Sequence, residues 1–427
     1  MNSNMKQSGL PWAELIPSNW EVERGKRVLT LMQREVRKDD EIITCFRDGE
    51  VILRRLRRED GFTISDKEIG YQGINVGDIV IHGMDGFAGA IGVSKSQGKG
   101  TPVYVVCTTK DNSNNSYVVY YLRTLAQNNV FLALATGIRE RSCDLKWNKI
   151  SVLPFILPPI SEQKAIADFL DKKCEEIDEL VALQEKIIEE LKSYKQSVIT
   201  ETVCKGLNPN APMKDSGVEW IGEIPEVWQV VKLGLLTSKI GSGSTPSGGA
   251  EVYTDDGVKF IRSQNVYFEG FNLKDVAHIS YEIDEQMKGT RVQNGDILFN
   301  ITGGSIGRCC DVDATLGEAN VNQHVCIVRP TKIKTKYLKY YLQSDNGQIQ
   351  VKLLQTGGNR DGLSADAFKK FHIVLPSSIE QQEIADYLDK KCSEIDQLIS
   401  IKQQKIVELK DYKKSLIYEY TTGKKEV

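Results

Sequence analysis

Histidine is scarce in this chain, and its cysteines follow no pattern. The four histidines, His82, His278, His324 and His372, stand far apart, without metal-ligand or catalytic-triad spacing. The nine cysteines form no CxxC pair and their count is odd, which argues against a disulfide framework and for reduced thiols. Cys309 and Cys310 are adjacent and read as strand residues. No apolar run reaches the roughly 18 residues of a membrane span. The opening stretch MNSNMKQSGLPW lacks the apolar core of a signal peptide. The expectation is a cytoplasmic protein with no membrane partner. An excess of either charge is also missing: 55 Lys and Arg stand against 58 Asp and Glu, a net charge of −3. That excludes a uniformly basic nucleic-acid binder but leaves room for a local basic cleft.

Catalytic signatures are missing as well. The glycine-rich stretches Gly241-Ser242-Gly243-Ser244 and Gly303-Gly304-Ser305-Ile306-Gly307 lack the lysine of a phosphate-binding loop. Asn208-Pro209-Asn210 is the nearest fragment to an adenine-methyltransferase motif and reads as a linker turn. The expectation is a non-enzyme that binds no metal and no cofactor of its own.

What the chain has is a repeat. Residues 162–200 and 380–418 are nearly the same helix written twice. Ile166 aligns with Ile384 and Tyr194 with Tyr412, each pair 218 residues apart. About 22 of the 39 aligned positions are identical, far above chance for an internal repeat. The repeat reaches further. Ser8-Gly9-Leu10-Pro11-Trp12 and Ile16-Pro17-Ser18-Asn19-Trp20 match Ser216-Gly217-Val218-Glu219-Trp220 and Ile224-Pro225-Glu226-Val227-Trp228. Thr136-Gly137 likewise matches Thr356-Gly357. The plan is a globule over 1–158, a helix over 159–206, a linker over 207–216, a second globule over 217–376 and a second helix over 377–427.

Each globule reads as mixed α/β, so the fold class is α+β. Short apolar runs at 78–81, 103–107, 296–300 and 325–328 read as strands. Helices fit 116–127 and 334–344. Each globule closes with an apolar strand and a proline stop, at 155–159 and 373–376, and Ser161-Glu162 after Pro159 makes a good helix start.

The long segments carry a heptad. One row is Leu170, Ile177, Leu191 and Val198, and the companion row is Ile166, Leu180, Ile187 and Tyr194. The second copy gives Leu388, Ile395, Leu409 and Leu416, with Ile384, Leu398 and Tyr412. This pattern predicts the seam of a coiled coil. Helices of about 40 residues would run about 60 Å. Two such seams in one chain are most simply satisfied by mutual antiparallel packing.

The polar loops point to nucleic acid. Arg54, Arg55, Arg57 and Arg58 cluster beside Arg47 in the first globule, and Arg139 and Arg141 follow Thr136-Gly137. The second globule offers Thr245, Arg262, Gln264, Asn265, Asn322, Gln323 and Arg360. Arginine reads guanine and Asn or Gln reads adenine in the major groove, while other contacts hold phosphate. Singly each is an ordinary solvated residue; as a repeated set they favour DNA.

These residues resemble a known family. The pattern is Leu157-Pro158-Pro159, Glu162-Gln163 and Ile166-Ala167-Asp168-Phe169-Leu170-Asp171, repeated as Leu375-Pro376, Glu380-Gln381 and Ile384-Ala385-Asp386-Tyr387-Leu388-Asp389. It resembles the specificity subunit of Type I restriction-modification systems, over essentially the whole chain. The resemblance implies two target-recognition domains, each reading half of a bipartite, asymmetric site in double-stranded DNA. It implies helices that set the spacing and dock two modification (methyltransferase) subunits. Those partners would carry S-adenosylmethionine, and restriction subunits would use ATP and Mg. Two other readings stand beside it: a recognition subunit of a Type IIB-like or phage-encoded methyltransferase system, and a coiled-coil protein-interaction scaffold.

Overall fold

The computed structural model describes residues 4–57, 69–111, 113–133, 145–355 and 362–427. Its contacts divide the chain into two compact units. One joins Met1–Glu185 to Gln403–Val427, and the other is Lys186–Lys402. Each unit thus holds one globule, part of one long helix and part of the other.

In the first unit the elements are β1 (Glu21–Arg24), β2 (Leu29–Leu31), β3 (Ile79–His82), β4 (Ile91–Val93), β5 (Tyr104–Thr109), α1 (Asn115–Gln127) and β6 (Pro154–Leu157). The long helix α2 (Ile160–Lys205) begins here. An antiparallel sheet has the order β2-β5-β3-β4. Ile79, Val80 and Ile81 are all buried, as their unbroken apolar run predicts. Asn114 caps α1 by accepting from the Tyr117 backbone N–H at 2.9 Å. Tyr117, Tyr121, Leu122 and Leu125 of α1 then join Phe155, Ile166, Leu170 and Leu416 in one core. Burying side chains of this size contributes about 1.5–3 kcal/mol each.

The second unit repeats the plan. Its elements are β7 (Gln229–Lys232), β8 (Thr237–Ser242), β9 (Val258–Ile261), β10 (Ala277–Ile279), β11 (Ile297–Asn300), β12 (Cys309–Asp311), β13 (Ala319–Val321), β14 (Val325–Pro330), α3 (Thr335–Gln343), α4 (Asp345–Leu354), β15 (His372–Leu375) and α5 (Ser378–Thr421). The sheet β8-β14-β11-β12 matches that of the first unit. So does the pairing of β7 with β15 against that of β1 with β6. The hairpin of Met213–Asp215 with Glu223–Pro225 mirrors that of Met5–Gln7 with Leu15–Pro17, so it takes in the end of the segment read as a linker. Cys309 and Cys310 are strand residues, buried in β12.

The globules differ in their outer parts. The second adds a three-stranded sheet, β10-β9-β13, in which β9 and β13 run parallel. The first instead pairs Ile43–Cys45 with Val51–Leu53 and Gln72–Ile74 with Gly98–Gly100.

The long helices run over Ile160–Lys205 and Ser378–Thr421, and the start of α5 carries a capping box. Glu380 accepts from the Ser377 backbone N–H at 3.1 Å, and Ser377 Oγ accepts from the Glu380 N–H at 3.3 Å. The expected seam needs correction. Ile166, Leu170, Ile177, Ile384, Leu388 and Ile395 are buried, and Ile187, Leu191 and Leu409 are half-buried. Leu180 and Leu398, however, are each 46% exposed, and Tyr194 and Tyr412 are 51% and 53% exposed. The companion row is displaced by one residue, to Ala167, Cys174, Val181 and Ile188, with Ala385 and Cys392 as the buried counterparts. The second row of a heptad lies three or four residues from the first. Both candidate rows are apolar here, and the larger Leu180 and Tyr194 favoured the wrong one.

Candidate nucleic-acid interface

The duplicated sequence motifs turn out to be joints between globule and helix. The Trp20 indole Nε1 donates to Glu162 at 3.0 Å, and the Trp228 indole donates to Glu380 at 3.2 Å. Gln163 accepts from the Asn114 backbone N–H at 3.0 Å and donates to the Pro158 carbonyl at 2.9 Å. Gln381 does the same with Lys334 and Pro376, each at 2.9 Å. The hydroxyls of Tyr120 and Tyr340 donate to Asp171 and Asp389, both at 2.7 Å. Burial pushes the Asp389 carboxyl up. Hydrogen bonds from Lys336 and Tyr340, with the charges of Lys339 and Lys336, outweigh that and hold it below the ordinary carboxylate value. The motif is structural: it fixes each globule to its helix.

Inside each unit the two long helices are also tied by charge. Lys195 pairs with Asp396 at 2.7 Å in the second unit, and Lys413 pairs with Asp178 at 2.6 Å in the first. In the first unit Lys410 reaches Glu185 at 3.7 Å. The partner number falls as the helix number rises, so the two segments run antiparallel there. The outward faces carry matching apolar side chains: Leu180, Leu183 and Tyr194 on α2, and Leu398, Ile401 and Tyr412 on α5.

The second globule gathers most of its expected polar residues at one edge. Because β9 and β13 are parallel, Arg262 and Asn322 leave the sheet at the same end, and the Asn322 N–H donates to the Ile261 carbonyl at 3.1 Å. Gly243 brings a third loop against them. A Cβ at Gly243 would lie 2.0 Å from the Val321 carbonyl oxygen, so only glycine allows this approach. It delivers Thr245, whose hydroxyl donates to Gln323 Oε1. Gln323 Nε2 lies 3.1 Å from His324 Nε2, and His324 Nδ1 lies 2.7 Å from Thr302 Oγ1. Gln264 is exposed beside this group.

Two expected contacts are spent within the fold. Asn265 is 2% exposed; its Oδ1 accepts from the Arg262 N–H and its amide donates to the Asn272 carbonyl. Asn322 is buried, and its Oδ1 accepts from the His324 N–H at 3.2 Å. The Arg262 guanidinium donates to the Asp275 carbonyl at 3.2 Å. Thr302, Ser305 and His324 belong to the edge although sequence reasoning did not select them. Their signal was only the glycine-rich stretch that Ser305 occupies and the Asn-Gln run that precedes His324.

In the first globule Arg54 donates to Thr44 at 3.0 Å and Arg55 to Glu41 at 2.6 Å. Arg57 pairs with Asp48 at 2.5 Å and Glu50 at 3.0 Å and stacks over Phe46 at 4.2 Å. Arg47 pairs with Asp85 at 2.9 Å. Exposed pairs of this kind contribute only about 0–1 kcal/mol, so these arginines can exchange a carboxylate for a phosphate at small cost. His82 occupies the position that Asn300 holds in the second globule. It accepts at Nδ1 from the backbone N–H groups of Met84 and Asp85, and burial lowers its pKa against the opposing charge of Asp85. Arg58, Arg139, Arg141 and Arg360 lie outside the described residues. Among the described residues no group of His, Cys, Asp or Glu is placed to hold a metal ion, and no helix is long and apolar enough to cross a membrane.

The geometry defines a duplicated α+β chain, with matching helix joints and unlike outer edges. Comparison with known proteins shows what it is similar to. The Type I restriction modification DNA specificity domain matches residues 225–411. The putative type I restriction enzyme MjaX specificity subunit of Methanocaldococcus jannaschii is 25% identical over 436 residues, covering 96% of this chain and 94% of that protein. A chain from a structure of the type I R-M system aligns with a TM-score of 0.72 at 14% identity, over 95% of this chain and 98% of its own. The HsdS subunit from Thermoanaerobacter tengcongensis aligns with a TM-score of 0.54 at 16% identity, over 96% of this chain and 98% of its own. The chain is thus similar over nearly its whole length to Type I restriction enzyme specificity subunits, and residues 225–411 match the DNA specificity domain of that family.

Proposed function

We propose that this chain is the DNA-recognition subunit of a Type I restriction-modification complex. Residues 1–158 and 217–376 act as target-recognition domains, each reading one half of a bipartite, asymmetric duplex site. The long helices, 159–206 and 377–427, pack as an antiparallel coiled coil that sets the gap between half-sites. At 1.5 Å per residue each would run about 60–70 Å, enough for half-sites about one 34 Å helical turn apart. Their matching outward faces dock two like modification subunits. S-adenosylmethionine belongs to those partners, and ATP and Mg belong to the restriction subunits. This chain contributes recognition and geometry in the cytoplasm but no chemistry.

The observation that carries the reading is the contrast between duplicated joints and unlike edges. Trp20–Glu162 and Trp228–Glu380 are the same joint. Beyond the joints, the Thr245–Gln323–His324–Thr302 edge and the Arg54–Arg57 segment share nothing. Identical anchors suit identical partners, and unlike edges suit unlike half-sites. The test replaces residues 217–376 with the corresponding segment of another family member in the assembled complex. One half of the methylated motif changes and the other half stays. A change in both halves would refute the assignment.

A further inference from the structure

Resting on the DNA-recognition reading, we propose that Gln323 is a specificity-determining residue that reads an adenine in the half-site of the second globule. Thr245, His324 and Thr302 hold its amide in the reading orientation.

The Thr245 hydroxyl donates to Gln323 Oε1, the acceptor end of the amide, and leaves it one lone pair. Gln323 Nε2, the amino end, can only donate, and it does so to His324 Nε2 across 3.1 Å. With Nε2 accepting, His324 Nδ1 is the donor and gives its hydrogen bond to Thr302 Oγ1 across 2.7 Å. The amide keeps one N–H and one acceptor lone pair for a further partner, on an exposed residue. Adenine presents the complementary pair in the major groove, N7 as acceptor and the N6 amino group as donor. A guanine offers two acceptors there and matches only the N–H.

The loops that hold this amide are themselves anchored. The backbone N–H of Ile301 donates to the His324 carbonyl at 3.0 Å, and the Gly243 N–H donates to the Val325 carbonyl at 2.9 Å. Asn300, fully buried, donates to the Ser263 carbonyl at 2.8 Å and ties the neighbouring turn to the same edge. A glutamine held from both ends loses little rotamer entropy on contact, which separates Gln323 from an ordinary surface amide.

The test uses the complex of this chain with its modification subunits and a library of randomised DNA duplexes. Selection by the wild type gives the bipartite site. In Gln323→Ala, preference for one adenine in one half-site falls by roughly 5- to 150-fold, as expected for loss of a bidentate contact, and the other half-site is unchanged. Gln323→Arg moves that same position toward guanine. Thr245→Val relaxes the same position by a smaller factor, and Thr245→Ser restores it. An unaltered motif in Gln323→Ala overturns the inference, as does an equal loss of affinity for all sequences. A wild-type complex that selects no sequence overturns the DNA-recognition reading itself.

Discussion

The Lys195 ammonium contacts both carboxylate oxygens of Asp396, at 2.8 and 2.7 Å. The same contact recurs between Lys413 and Asp178, at 2.7 and 2.6 Å, with each residue displaced by 218 positions. Both lysines sit in the companion row of the heptad, among small or apolar residues such as Cys174, Val181 and Ile188. A charged residue in such a row lowers stability but fixes register. The repeated pair therefore selects one alignment of the helix segments in each unit.

Reversing that charge should be felt. Lys195→Glu places like charges together and should lower stability by about 1 kcal/mol. Lys195→Glu combined with Asp396→Lys should recover most of the loss. Thermal unfolding of the four-member cycle measures it, and a double variant no better than the single would show that the pair does not set register.

The buried tyrosines make a second prediction. The Tyr337 hydroxyl lies 3.0 Å from the Val203 carbonyl and 2.8 Å from the Val374 carbonyl. Tyr117 repeats this with Thr421 at 3.4 Å and Ile156 at 2.9 Å. Each hydroxyl joins the end of one helix to the last strand of the globule. Tyr337→Phe leaves buried acceptors without a donor and should cost about 1–3 kcal/mol in denaturant unfolding. Tyr117→Phe should cost a similar amount, and a negligible loss in both would remove these hydroxyls from the account.

The joints should also be acid-sensitive. Burial raises the Glu380 carboxyl, but hydrogen bonds from Ser377 and Trp228 outweigh it, so Glu380, like Asp389, lies below its ordinary value in the folded chain. A depressed folded pKa means the unfolded chain binds protons first. The stabilisation is complete above the ordinary carboxylate values near pH 4 and is lost as pH falls through the lowered folded values. Between about pH 5 and pH 3, Asp389→Asn should lose less thermal stability than the wild type. Parallel losses would show that Asp389 does not carry this dependence.

Much of this was legible in the sequence, and the gaps have physical causes. The repeat named Trp20, Trp228, Glu162-Gln163 and Glu380-Gln381, but Trp20 and Glu162 are 142 residues apart, and no local pattern says that they touch. Strands such as Ile79–His82 and Val325–Pro330 were readable because burial on both faces demands an unbroken apolar run. The heptad period was readable, but its second row was not, since adjacent apolar rows differ only in which one meets a neighbour. At the polar edge, Asn265 and Gln323 look alike as sequence. Only the fold shows that Asn265 is spent on the Arg262 and Asn272 backbone while Gln323 keeps free groups.

The central claim is that this chain directs methylation to one bipartite DNA site. Deleting its gene and mapping N6-methyladenine across the genome tests that most directly. The account predicts that methylation disappears from a single two-part motif while other methylated motifs persist. An unchanged methylome, in a cell whose modification subunits are expressed, would contradict it.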